Sequence, residues 1–210
     1  GVQVSELCLG CMTFGGRTDE ADSIRMIDLA LEAGVNFIDT ANVYNGGRSE
    51  EVTGKALEGK RDRVVLATKV HGRMGPGPND MGNSRYHIVA QVEASLKRLR
   101  TDHIDLYYLH RPDSSTSLEE ELRAMDDLVR QGKVLYAGTS HYPAWVLCKA
   151  LNTCDHQGLP PFVADQPRYN VGCRQIEAEL LPFCAETGYG VVPHSPLYGG
   201  VLSGKYAADA

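Results

Sequence analysis

No stretch of about 18 uninterrupted apolar residues occurs in this 210-residue chain, so no membrane-spanning helix is expected. There is no run of lysine or arginine, and the formal net charge is −6. That balance argues against a nucleic-acid surface and against an electrostatic membrane anchor. The amino terminus lacks a basic segment followed by an apolar one, which argues against a secretory signal. It also lacks an initiator methionine: the chain opens on Gly1, so its true start is expected to lie upstream. Of the six cysteines, Cys8 and Cys11 have C-x-x-C spacing, but no second such pair follows to complete a zinc site. Three residues along a strand place two side chains on opposite faces. The cysteines therefore read as buried thiols in a reducing, cytoplasmic setting, with no metal expected.

What is present is enough for one well-filled core: 42% of the residues are hydrophobic. Seven short apolar segments, rich in β-branched or aromatic residues, cover 7–9, 36–38, 64–68, 104–109, 134–138, 162–165 and 190–193. Helical patterns lie between them. Residues 19–33 place Ile24, Ile27 and Leu31 on one face and stop at Gly34. Ser49 is expected to cap a helix containing Val52, Ala56 and Leu57. Ser84 precedes the repeat Ile88, Val92, Leu96, Leu99, and Ser117 opens a capping box that ends at Gly132. Pro143 suits a first helical turn, and Ile176, Leu180, Phe183 and Cys184 suggest a last helix closed by Gly188, kinked or restarted at Pro182.

The strands recur about every 28–30 residues, with one interval nearer 40. That rhythm fits strand, loop, helix, loop, and hence a parallel α/β sheet. No G-x-G-x-x-G follows the first strand, as an open dinucleotide-binding sheet would show. Seven strands in one series favour a (β/α)₈ TIM barrel, with the eighth strand and C-terminal helices absent from this chain. Residues 1–210 are accordingly expected to form a single domain, incomplete at both ends. The long interval holds a Gly/Pro loop, 71–83, which reads either as a mobile rim of a site or as disordered.

Polar residues recur where these strands end. The second strand delivers Asp39, with Tyr44 on the following loop, the third delivers Lys69 and the fourth His110. The later ones lead to Ser140-His141, Gln166 and His194-Ser195. In a parallel barrel all of these face one rim, where the chemistry of such folds is carried out.

The motifs FIDTANVYNGGRSE, LATKV, DLYYLHRPD, LVRQGKVLYAGTS, DQPRYNV and SPLYGGVLSGKY agree in order and spacing with one family. The chain resembles the aldo-keto reductases, in the bacterial and potassium-channel-subunit branches. The resemblance implies a catalytic tetrad of Asp39, Tyr44, Lys69 and His110, and reduction of an aldehyde or ketone. NADP is the implied cofactor, with NAD also compatible. A free phenol, with a pKa near ~10, is a weak acid at neutrality, and a Lys69 ammonium is expected to lower that value. Asp39 would be its counter-ion, and His110 would orient the carbonyl. General acid help of this kind is typically worth about 10²–10⁴ in rate.

The same resemblance implies cofactor contacts from Ser140, His141, Gln166, His194, Ser195 and Leu197. Two of these depart from the family pattern: His141 stands where Asn is usual, and His194 where Tyr, Trp or Phe is usual. The alternative implied function is a cofactor-binding regulatory or scaffold subunit with little turnover. The partner expected of the reductase is a small-molecule carbonyl substrate, and the sequence implies no oligomeric state. The stretch Gly199–Lys205 matches G-x-x-x-x-G-K, but Tyr206 replaces the Ser or Thr that would bind magnesium, so it reads as a decoy.

Overall fold

Short oxygen-bearing side chains start the helices. A computed structural model of the chain describes residues 1–206; residues 207–210, the end of the expected domain, lie outside the described residues. Asp19 accepts from the Asp22 N–H ahead of α1 (Glu20–Glu32), and Ser84 from His87 N–H ahead of α3 (Arg85–Leu99). Ser117 does the same for Glu120 N–H ahead of α4 (Leu118–Arg130). Each cap satisfies one of the donors a helix start leaves unpaired. Pro143 is the capping residue of α5 (Ala144–Gln157), one position earlier than the sequence suggested.

Two expectations fail locally. Helix α2 (Arg48–Ala56) starts before Ser49, because the chain enters it through a 3₁₀ turn, Tyr44–Gly47, and a left-handed Gly47 at φ 96°. The Ser49 hydroxyl instead donates to Cys11 O at 2.7 Å and lies 2.8 Å from Thr40 Oγ1. Ile176 sits in a separate 3₁₀ turn, Gln175–Glu177, and the last helix α6 (Leu180–Thr187) starts afresh beyond it. Pro182 falls in the first turn of α6, where no intrahelical N–H bond is required.

The strands are β1 (Cys8–Gly10), β2 (Phe37–Asp39), β3 (Val65–Val70), β4 (Ile104–Leu109), β5 (Val134–Thr139), β6 (Ala164–Asp165) and β7 (Gly190–Val191). They form one curled sheet in sequential order, every pairing parallel. This is the (β/α)₈ barrel architecture through its seventh strand. Among the described residues, β1 and β7 each have one strand neighbour.

Period-two alternation sorts the sheet residues into two layers. Ile38, Leu66, Val70, Tyr107 and Leu109 join the helices in the outer core. Phe37, Ala67, Leu106, Tyr108 and Ala164 fill the barrel interior, with Cys8 packed against them. Cys8 and Cys11 thus fall into different layers, and all six cysteines are free thiols. Among the described residues no group of three or more potential metal ligands converges, and no helix is long and apolar enough to cross a membrane.

Candidate active site

Register brings the strand-end residues together. Lys69 pairs with Tyr108 across β3 and β4, so both side chains point into the barrel. Gly138 on β5 makes room for the Tyr108 ring: a Cβ there would meet that ring at 2.8 Å. Strand β3 runs to Val70, so Lys69 lies within the strand rather than just beyond it. Its side chain is fully buried. The ammonium donates to Asp39 Oδ1 at 2.5 Å and to Thr40 O at 2.7 Å. Asp39 Oδ2 accepts from Gln166 Nε2 at 3.0 Å. A buried charge of this kind persists only when paired and hydrogen-bonded.

Tyr44 and His110 close over this ion pair. Lys69 Nζ lies 5.1 Å from the Tyr44 ring centroid, and the Tyr44 and His110 rings meet edge to face at 5.6 Å. Burial opposes the Lys69 charge, but Asp39 and Tyr44 outweigh it and hold the lysine above its usual range. Burial raises the Tyr44 phenol more than the Lys69 ammonium lowers it, so the net shift is upward. That corrects the expected lowering: the lysine acts in the expected direction, and desolvation exceeds it. Burial, then Lys69 and Arg111, push His110 down to about 3, so the imidazole is neutral at physiological pH.

These groups border a cavity of about 770 Å³, within the usual range for small-molecule sites. Asp39, Tyr44 and His110 line it, as do Ser140, His141, Gln166, His194 and Ser195. Lys69 lies beneath its floor. Leu197 is not among the lining residues; it precedes the 3₁₀ turn Tyr198–Ser203 and is 55% exposed. His71 and Gly72, at the start of the loop read as a possible site rim, line the cavity too. So do Arg111 and Cys8, which sequence reasoning did not assign to the site.

That loop is folded. Met74 N–H donates to Asp80 O and Gly82 N–H to His71 O, each at 2.8 Å. Gly72 packs so closely on Val43 that a Cβ would meet its side chain at 2.5 Å. The loop is therefore a rim of the cavity, seated beside the turn that carries Tyr44. The Gly199–Lys205 stretch runs through the 3₁₀ turn Tyr198–Ser203, with Lys205 folded over Gly200, and none of it lines the cavity.

The polar groups of Ser140 and Gln166 at the cavity wall are of the kind a carboxamide pairs with. Ser140 Oγ donates to Gln166 O at 2.7 Å, leaving its lone pairs as acceptors beside the Gln166 amide. A Cβ on the cavity-lining Gly10 would meet nothing within 4 Å, so the floor is open above it.

The sequence of residues 6–210 matches the model of the aldo/keto reductase family. The chain belongs to that family. This aldo/keto reductase is 45% identical, over 98% of its length, to the uncharacterized oxidoreductase YrpG of Bacillus subtilis, of which it covers 66%. It is 42% identical, over its whole length, to a probable voltage-gated potassium channel subunit beta of Arabidopsis thaliana, covering 65% of that protein. An aryl-alcohol dehydrogenase [NADP(+)] of Phanerodontia chrysosporium is 37% identical to the whole of this aldo/keto reductase, which covers 58% of it. The chain thus spans about two thirds or less of each of these relatives.

Proposed function

We propose that the protein is a cytoplasmic NADPH-dependent reductase of an aldehyde or ketone, with residues 1–210 forming one domain. The observation that carries this reading is the buried Lys69–Asp39 ion pair directly beneath Tyr44. When bound, the reduced nicotinamide supplies the hydride. Ser140, Gln166 and His141 would hold its carboxamide, and His194 would lie against its ring. The protein's own residues do the rest. Tyr44 keeps its proton through the neutral range and holds it at the phenol oxygen, facing the cavity. Neutral His110 offers a ring nitrogen that orients a carbonyl oxygen beside that phenol. As the proton leaves Tyr44, the Lys69 ammonium stabilises the phenolate, and Asp39 keeps Lys69 charged. The name of the Phanerodontia relative supports NADP as the cofactor.

The test is oxidation of NADPH, beside NADH, with a panel of aldehydes and ketones. Turnover in the wild type that falls at least 10²-fold in Tyr44→Phe, with cofactor binding retained, is the expected result. An unchanged rate in that variant overturns the assignment of the acid. The name of the Arabidopsis relative favours a second reading, a cofactor-binding regulatory subunit. Cofactor binding without turnover on any carbonyl would select it.

A further inference from the structure

Behind the cavity wall lies a buried carboxylate that the chemistry above does not use. Glu121 sits on α4 and is 2% exposed. Its Oε1 accepts from Asn83 Nδ2 at 2.7 Å, and its Oε2 from the Tyr142 hydroxyl at 3.0 Å. Asn83 Nδ2 also lies 3.2 Å from the Tyr142 hydroxyl oxygen, so the three side chains close a triangle. Each of the other two members leads to the cavity. Asn83 Oδ1 lies 3.1 Å from His71 Nδ1, and Asn83 Nδ2 donates to Arg111 O at 2.9 Å. Tyr142 directly follows His141, and its N–H donates to Asp165 Oδ1, on the residue next to Gln166. His71 and His141 both line the cavity, and both are non-glycine residues at positive φ, 147° and 61°. Backbone held in such a region persists only when its surroundings over-determine it.

We propose that Glu121 is a positioning residue: its carboxylate joins Asn83 to Tyr142 and so fixes His71 and His141 on two separate rim segments of the cavity. The inference rests on the reductase reading only for what those rims hold, a carbonyl substrate and a cofactor.

The triangle as it stands is that of an ionised carboxylate. An ionised Glu121 accepts from both donors at once. Protonated, it keeps an acceptor for Asn83 but must donate its own hydrogen, so the Tyr142 phenol has to turn its proton away and the contact between the two is rebuilt in the opposite sense. The charged groups facing Glu121 are Asp113, on the loop after β4, and Glu120, on its own helix. From the loop after β5 comes the neutral phenol Tyr142, and from the long loop the uncharged Asn83. Burial, with the two neighbouring acids, pushes Glu121 up to about 7 despite those hydrogen bonds. The bracing in this form is therefore present above neutrality and is rebuilt below it.

The test follows the backbone amides of His71 and His141 and the side-chain amide of Asn83 by NMR in cofactor-free protein between about pH 5.5 and 8.5. In the wild type all three are expected to share an inflection near pH 7. Glu121→Gln should abolish that shared inflection. Tyr142→Phe, which removes only a hydroxyl, should abolish it at His141 and keep it at His71, and this arm decides the matter if Glu121→Gln does not fold. In turnover assays Glu121→Gln should raise KM for the carbonyl substrate about fivefold or more while kcat changes less than about twofold. Separate titration of the two histidine amides in the wild type, or an unaltered inflection in Glu121→Gln, would overturn the proposal. A wild type with no turnover would count against the reductase reading alone, since the amide titration needs neither cofactor nor substrate.

Discussion

His141 Nε2 stands 2.9 Å from His194 Nε2, and the two rings meet edge to face with centroids 4.8 Å apart. Such a contact needs one donor and one acceptor, so the neutral rings adopt complementary tautomers. His194 Nδ1 lies 2.9 Å from Ser195 Oγ. Donation from His194 Nδ1 to that hydroxyl leaves His194 Nε2 as the acceptor. The pair therefore spends part of the ring that a stacked nicotinamide would use. Replacing His194→Phe is expected to tighten cofactor binding about 2- to 12-fold, the ratio that an aromatic contact of about 0.5–1.5 kcal/mol supplies. Fluorescence titration with NADPH checks this, and weaker binding in the variant would show that the histidine pair itself contributes to the grip.

Asp39→Asn leaves Lys69 buried without its counter-charge. Removing one partner of a buried pair costs about 3–5 kcal/mol, whereas removing both charges is often close to neutral. Urea unfolding should therefore show Asp39→Asn well below wild type, with Asp39→Leu/Lys69→Met recovering most of the loss. Equal losses in the single and double variants would mean that the packing around the pair, not the charge, sustains this part of the barrel.

His110 makes the fold sensitive to acid. Its value is depressed in the native state to about 3, chiefly by burial, against 6.5 for the free group. Stability from this group is therefore complete above about pH 6.5 and is lost as pH falls towards 3. By pH 5 the loss is about 2 kcal/mol. His110→Gln should remove that dependence, so its stability gap to wild type at pH 7 should narrow or reverse at pH 5. Parallel stability curves for the two proteins would contradict the assignment.

Gly138 is required by its neighbour rather than by its own backbone. A methyl group there would meet the Tyr108 ring at 2.8 Å and Ala164 O at 3.1 Å. Gly138→Ala should destabilise the protein by about 1–3 kcal/mol, the usual range for overpacking. It should also displace a ring whose centroid lies 5.9 Å from Lys69 Nζ. A melting temperature equal to wild type would show that Tyr108 can move freely.

Which parts of this could be read from the chain follows from how local each signal is. Strand β4 and the capped helices α1, α3 and α4 are written in contiguous residues, and the side chains that end β2, β3 and β4 do fall at one rim. Ser49 was misplaced because its hydroxyl answers to Cys11 O, 38 residues away, which no capping rule contains. The upward shift of Tyr44 was illegible for a similar reason: the lysine is visible in sequence, but the desolvation that exceeds it exists only once the barrel is folded. The Glu121–Asn83–Tyr142 triangle joins three segments that share no sequence signature.

Trp145, the one tryptophan in the chain, lies in the first turn of α5, four residues beyond His141. Its side chain is 66% exposed. Intrinsic emission excited at the indole band therefore comes from one place, the start of the helix that follows the cavity-lining Ser140 and His141. A reduced nicotinamide held by Ser140 and His141 absorbs where that indole emits, so docking would quench the tryptophan and sensitise the dinucleotide. On the reductase reading the protein would carry its own optical gauge of occupancy, with no dye or added label needed to read it.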